Sequence, residues 1–362
     1  MEQPHILYSW QVSYFGGKMR SYMRFKGIPF NEISPNIFNY YVTLPRKTGV
    51  AAIPVVVTPE GRWLQDTSVI IDHFEALSPI NSVIPNTPIQ QFLAYLFELW
   101  GDEFWIPTGL ITRWCHMEEN YPFLEKDVAN DLLPGFPVWL QKKAAKKVAS
   151  QMTGYLTRTG VVPKQFDLLN KWTEIQLDAL NLHFEHYPYL FGFSPSIGDF
   201  GLMAPLYGHL SRDPWPAKNL ISPRPHLAAW IERMNSASPV TGDFLADDEI
   251  PATLEPLIAS LFRELLPYLE NTLRVAQPLL DRKGVLPRFL DEISFPLAHG
   301  SYQRCAMPYC LWMLQRIQDA CRAMPNIQNE ALCSYLTAHN AQHILDMQMP
   351  PMKLRGLQAE VI

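Results

Sequence analysis

A run of β-branched residues, Ile53-Pro54-Val55-Val56-Val57, stands within the first eighty residues and restricts what they can form. All but the proline branch at Cβ and suit a buried strand. Proline cannot donate to a strand ladder. Pro54 at the head of such a run therefore calls for a cis Ile53–Pro54 bond or a trans proline at a strand edge. Thr58-Pro59-Glu60-Gly61-Arg62 carries a hairpin-turn signal, and Trp63-Leu64-Gln65 reads as the return strand. Upstream, His5 to Trp10 reads as a short strand. Lys18 to Lys26 has helical spacing, with Met19, Tyr22 and Met23 on one face and Lys18, Arg20, Arg24 and Lys26 largely elsewhere. Gly27 is a helix stop, and Ile28 to Ile33 is a second strand. Val69 to Leu77 is helical again. The order is β-α-β, then a β-hairpin, then α.

Composition bounds the rest. With 362 residues the prior is two to three domains. Apolar residues at 48% and charged residues at 18% allow a large core and argue against global disorder. A net charge of −5 without a dominant basic run argues against a nucleic-acid binder. No stretch approaches a membrane-spanning helix, and the N-terminus lacks the pattern of a signal peptide. The five cysteines are sparse and odd in number, which fits a reducing cytoplasm.

Several spaced motifs occur in order: Ser13-Tyr14-Phe15-Gly16-Gly17-Lys18-Met19-Arg20, Lys26-Gly27-Ile28-Pro29-Phe30, Ile53-Pro54-Val55, and Asp66-Thr67-Ser68-Val69-Ile70. Together they resemble the N-terminal domain of the cytosolic glutathione S-transferase superfamily, in a bacterial-type chain with an added C-terminal extension. Further on, Pro195-Ser196-Ile197-Gly198-Asp199-Phe200-Gly201-Leu202 resembles the family's capping-box segment, and Pro225 to Arg233 its closing helix, so the resemblance spans roughly residues 5 to 235. It implies an α/β thioredoxin-like domain over 1–80, a linker over 81–88 and an all-helical domain over 89–240. Residues 241–362 form a further, mostly helical extension.

The resemblance implies that glutathione lies along the first domain as co-substrate, with no metal. Its thiol must ionise to attack, which a helix N-terminus and a hydroxyl donor favour. Ser13 matches the catalytic position as donor to that thiolate, with Tyr14 and Tyr8 as alternatives; plain N-capping is the competing role. No cysteine precedes Cys115, which argues against the Cys-type branch. Gly16-Gly17 offers backbone amides that a ligand can approach. Asp66-Thr67 falls where the family has its acidic-hydroxyl pair for the γ-glutamyl group, though it would also cap a helix. Ile53 offers its main chain to the cysteinyl part beside Pro54, and Arg46 and Lys47 face the glycyl carboxylate. Phe104, Trp105 and Trp114 are the expected electrophile surface. Ser196 and Asp199 form a structural capping box.

The expected function is attack by the glutathione thiolate on a small apolar electrophile, by a cytoplasmic homodimer. A non-catalytic binding or assembly protein, or a glutathione-dependent peroxidase or isomerase, is the alternative. Lys142, Lys143, Lys146 and Lys147 read as a solvated helix face or an anion site. Cys310, Leu314, Ile317 and Cys321 share one apolar helix face. His299, Cys305 and Cys310 lack the paired spacing of a zinc site.

Overall fold

The structure, a computed structural model, describes residues 3–236 and 242–362. The first strand, β1 (His5–Tyr8), leads into α1 (Tyr14–Phe25) and β2 (Phe30–Ile33). After α2 (Leu44–Thr48) come β3 (Val55–Val57), β4 (Trp63–Gln65) and α3 (Thr67–Leu77). The sheet order is β2-β1-β3-β4, with β1 parallel to β2 and antiparallel to β3, and Leu7 opposite Val56. This is the thioredoxin-like arrangement expected from the sequence. The Ile53–Pro54 bond is cis. Gly27 follows α1 with φ of +65°, a left-handed turn that glycine adopts at no steric cost.

The remainder is largely helical. It runs through α4 (Pro88–Leu99), a π-helical turn over Trp100–Phe104, α5 (Ile106–Trp114), α6 (Met117–Leu132) and α7 (Val138–Thr153). Then come α8 (Phe166–His186), α9 (Ile197–Pro205), α10 (Pro214–Pro216) and α11 (Pro225–Asn235). Past the undescribed residues lie α12 (Glu255–Ser260), a π turn over Leu261–Leu265, and α13 (Leu266–Leu280). Pro267 sits in the first turn of α13, and the Leu266 N–H reaches back five residues to the Leu261 carbonyl. The extension is not purely helical. A hairpin, β6 (Glu292–Leu297) and β7 (Gly300–Cys305), precedes α14 (Tyr309–Arg322) and α15 (Asn326–Ala338). The short β5 (Gly284–Val285) joins β8 (Met352–Arg355) and β9 (Gln358–Val361) in the order β5-β9-β8.

Two compact units emerge. One holds the described residues of 1–82, 108–156 and 202–241; the other holds 83–107, 157–201 and 242–362. They interleave along the chain, whereas the blocks read from the sequence run consecutively. The expected boundary at 240/241 falls outside the described residues.

Inside the second unit, polar contacts tie the extension to the helices before it. The Asp248 carboxylate accepts from the Ile89 and Gln90 N–H groups at 2.8 and 2.9 Å, so it caps α4 behind Pro88. Glu98, fully buried, pairs with Arg316 at 2.9 Å. The capping box is reciprocal: Asp199 accepts from the Ser196 N–H at 2.9 Å and its hydroxyl at 2.8 Å, and also from the Leu190 N–H at 3.1 Å. His183 sits between the Thr253 hydroxyl at 2.8 Å and the Tyr189 carbonyl at 3.1 Å. A neutral ring satisfies both, with Nε2–H donating to the carbonyl and Nδ1 accepting from the hydroxyl.

Burial holds the His183 pKa down at about 4, below its ordinary 6.5. The unfolded chain protonates this ring near pH 6.5 while the folded one resists until about pH 4, so its contribution to stability is present above pH 6.5 and fades between those values. The full effect is roughly 3 kcal/mol. Replacing His183 with Gln is expected to flatten the fall of unfolding free energy over that window by up to one proton, about 1.4 kcal/mol per pH unit. Urea titrations at stepped pH measure this, and identical slopes in both proteins would contradict it.

Candidate functional site

The segment Ser9–Ser13 connects β1 to α1, and three buried groups fix its path. Arg113 forms a two-pronged ion pair with Asp213, Nε to Oδ2 at 2.6 Å and Nη2 to Oδ1 at 2.8 Å. Its Nη1 donates to the Val12 carbonyl at 2.8 Å and its Nη2 to the Gly208 carbonyl at 2.9 Å. Arg20, only 1% exposed, pairs with Glu32 at 2.7 Å and reaches the Gln11 carbonyl at 3.3 Å. The Trp10 indole donates to the Pro35 carbonyl at 3.0 Å and stacks on Tyr40. Two basic residues of α1 set off from the apolar face by their spacing are nonetheless enclosed, Lys18 fully and Arg20 nearly so, while Arg24 is exposed. Arg20 is turned inward because its guanidinium satisfies carbonyls that the loop leaves unpaired.

Ser13 is the N-cap of α1, and its Oγ accepts from the Gly16 N–H at 3.1 Å. That bond uses a lone pair and leaves the hydroxyl proton to donate elsewhere. The alternatives are placed differently. Tyr14 packs edge-on to His209 and Phe15, with ring centroids 5.0 and 4.9 Å away. Tyr8 stacks on Trp63 at 5.7 Å. The His209 Nδ1–H donates to the Gly109 carbonyl, 2.8 Å away, and its pKa is held well below 6.5, chiefly by burial and then by the Arg113 charge.

Gly16-Gly17 does not present open amides. The Gly16 N–H bonds Ser13, and a Cβ there would strike the Ser9 Oγ. A Cβ on Gly17 would sit 2.6 Å from the Tyr207 ring. These glycines serve close packing of α1, a correction to the ligand-approach expectation. Gly208 shows the same constraint from the other side, since its Cβ would lie 2.7 Å from the Tyr14 carbonyl oxygen.

Asp66 caps α3, accepting from the Ser68 and Val69 N–H groups at 3.0 and 3.2 Å. Its φ of +77° is uncommon for a residue other than glycine and costs roughly 1–3 kcal/mol. Asp66 and Thr67 are both buried. Gln65, which sequence reasoning passed over, donates to the Ala52 carbonyl at 3.3 Å, while its buried Oε1 has no hydrogen-bond partner. An unpaired buried acceptor beside Ile53 and Asp66 suits the ammonium or amide group of a ligand. Lys47 and Arg46 are exposed, and the Lys47 ammonium lies 5.8 Å over the Trp63 ring.

Ile53 and Trp114 pack on one cluster with Trp10, Val12, Leu124, Val128 and Ala145, so the α6–α7 hairpin lies against the loop that carries Ser13. Phe104 and Trp105 do not join them. They are 4% and 0% exposed and sit in the other unit among Trp100, Trp172 and Tyr268. The expected electrophile surface is corrected accordingly: these two rings are core, because side chains so nearly enclosed present no surface to a substrate. Cys310 and Cys321 are buried as expected of an apolar face, and burial pushes both thiols up to about 12.

A four-stranded thioredoxin-like domain with a capped α1 N-terminus, a cis-proline and an acidic cap on α3 is followed by a largely helical remainder. The family model described as glutathione S-transferase, N-terminal domain, matches residues 7–82, so the similarity to that family lies in the first domain. No curated protein matches the sequence significantly. Similar solved structures include a glutathione S-transferase from Methylobacterium radiotolerans in complex with glutathione sulfonate, at 16% identity and a TM-score of 0.39, covering 67% of this chain and 98% of that one. The β-etherase LigF from Sphingobium is 16% identical, with a TM-score of 0.42 and coverage of 71% and 100%. FzlA from C. crescentus is 14% identical, with a TM-score of 0.43 and coverage of 70% and 99%.

The Arg113–Asp213 pair carries the loop geometry, and removing one partner leaves a buried charge. Asp213→Asn is expected to destabilise the fold by about 3–5 kcal/mol in urea unfolding. A loss below about 1 kcal/mol, the range of an exposed pair, would show that the pair is not structural.

Proposed function

We propose that this protein binds glutathione against the α1 N-terminus and Ile53, and that Ser13 donates its hydroxyl proton to the bound thiolate. The observation that carries this reading is the Ser13 Oγ at the helix N-terminus, its lone pair engaged by Gly16 and its proton free to donate. The helix dipole adds to the stabilisation of negative charge there. Asp66 and the unpaired Gln65 Oε1 would meet the γ-glutamyl ammonium, and Lys47 the glycyl carboxylate. The glutathione sulfonate bound by the Methylobacterium radiotolerans enzyme is a ligand of this chemistry.

The reaction proposed is thiolate attack on a small apolar electrophile. The thiol proton passes to solvent, a sulfur lone pair forms the new C–S bond, and the leaving group departs with its bonding electrons. Trp114, half-buried beside Trp10, is the one residue of the expected electrophile surface retained in this reading. The protein is read as a cytoplasmic homodimer, its five cysteines being free thiols.

Ultraviolet thiolate absorbance of bound glutathione tests the Ser13 role. Ser13→Ala is expected to raise the bound thiol pKa by about one to two units, a ten- to hundredfold loss of thiolate near neutral pH. An unchanged thiol pKa would remove Ser13 from the role and direct the test to Tyr14→Phe and Tyr8→Phe. Glutathione bound by the wild type with no thiolate at all would favour a binding module over an enzyme.

A further inference from the structure

The α6–α7 hairpin ends in a tip of unusual chemistry. The connecting residues Leu133 to Pro137 hold Gly135 at φ of +76°, and the Phe136 N–H bonds the Leu133 carbonyl at 3.2 Å. This ordered turn displays Phe136, Val138 and Trp139 with 54%, 64% and 66% of their surfaces in solvent. Three large apolar side chains side by side, each more than half exposed, form a patch that a soluble surface ordinarily avoids.

Along the chain, charge is segregated from the tip onward. No Asp or Glu occurs between Asp131 and Asp167, although the whole chain has a net charge of −5. Within that interval Lys142, Lys143, Lys146 and Lys147 are all exposed. At 100° per residue, Lys142, Lys143 and Lys146 fall within about 60° of Trp139 around the α7 axis, and Lys147 lies beside them. Ala145 and Val148, at about 120° and 180° from Trp139, lie on the buried face. The outer stripe of α7 is therefore an aromatic end followed by lysines. Lys142 also meets Glu125 at 3.1 Å, and the Lys147 ammonium lies 5.5 Å over the Tyr41 ring.

We propose that this stripe docks the protein on an anionic lipid surface, with Phe136, Val138 and Trp139 entering the headgroup–acyl boundary and the lysines facing the lipid phosphates. Aromatic rings favour that boundary, and each lysine near an anionic surface adds to the attraction. The binding is peripheral: among the described residues no helix is long and apolar enough to cross a membrane. A second copy of the chain suits the stripe less well, since a two-fold contact there sets lysine against lysine.

Flotation of the full chain with vesicles tests the proposal. Vesicles of phosphatidylcholine with phosphatidylglycerol should carry the protein at low salt, and phosphatidylcholine alone should not. Lys143→Gln with Lys146→Gln should weaken partitioning about thirtyfold, and added salt should do the same. Trp139→Phe should keep the protein on anionic vesicles while losing the fluorescence quenching that brominated lipid causes in the wild type. These exposed positions leave the fold intact, checked by an unchanged circular dichroism spectrum. Absence of the wild type from anionic vesicles would overturn the proposal, as would undiminished binding of the double lysine variant. A dimer that Trp139→Ala dissolves, with no vesicle binding, would assign the stripe to a second copy instead.

Discussion

The ion pair between Arg113 and Asp213 is the constraint on which the candidate site depends. A guanidinium is taken from water only where its five N–H groups find acceptors, and here they find one carboxylate and two main-chain carbonyls, those of Val12 and Gly208. The Val12 carbonyl precedes the N-cap Ser13, so the pair sets where α1 begins. Arg20 fixes the same loop from within α1 through the Gln11 carbonyl and Glu32. Two buried cations thus hold a loop that has few hydrogen bonds of its own. The α1 N-terminus that they position is where the proposed thiolate would lie.

The second unit is organised by burial of aromatic rings around a buried guanidinium, that of Arg304. Trp100, Phe104, Trp105, Trp172 and Tyr268 contact one another edge to face, and the Arg304 guanidinium lies 4.1 Å over the Tyr268 ring. These five rings are packed as core without any ligand. The extension adds its own share through Tyr268 and Phe295, and through Asp248 at the start of α4. Residues past 241 therefore complete a core that the helices before them leave open.

Much of this was legible in the sequence where a local rule determined the outcome. The β-α-β and hairpin order followed from the Val55–Val57 run and the Thr58–Arg62 turn, and the Ser196–Asp199 box from its spacing. Burial of Lys18 and Arg20 was not legible, because a helical wheel places charges outward, and only the tertiary position of the Gln11 and Trp10 carbonyls turns Arg20 inward. Nor was the role of Asp213, a hundred residues from its partner in sequence. Phe104 and Trp105 carry no mark that separates a cleft ring from a core ring. The β6–β7 hairpin did leave a trace, the alternation of Ile293, Phe295 and Leu297, but a proline at 296 masked it; the residue points outward, where the strand tolerates it. For the candidate site, the motifs pointed to Ser13, Ile53 and Asp66, while Gln65 became visible only through its unpaired oxygen.

The central claim is that this chain holds glutathione at the end of α1 with its γ-glutamyl end at Asp66 and Gln65. Calorimetric titration of glutathione into the wild-type protein measures it directly. Saturable one-site binding at submillimolar to millimolar concentration is expected, weakened at least about tenfold in Gln65→Leu, which removes one ligand contact of about 1.4 kcal/mol. No heat of binding at millimolar glutathione, or equal affinity in the Gln65→Leu protein, would contradict it.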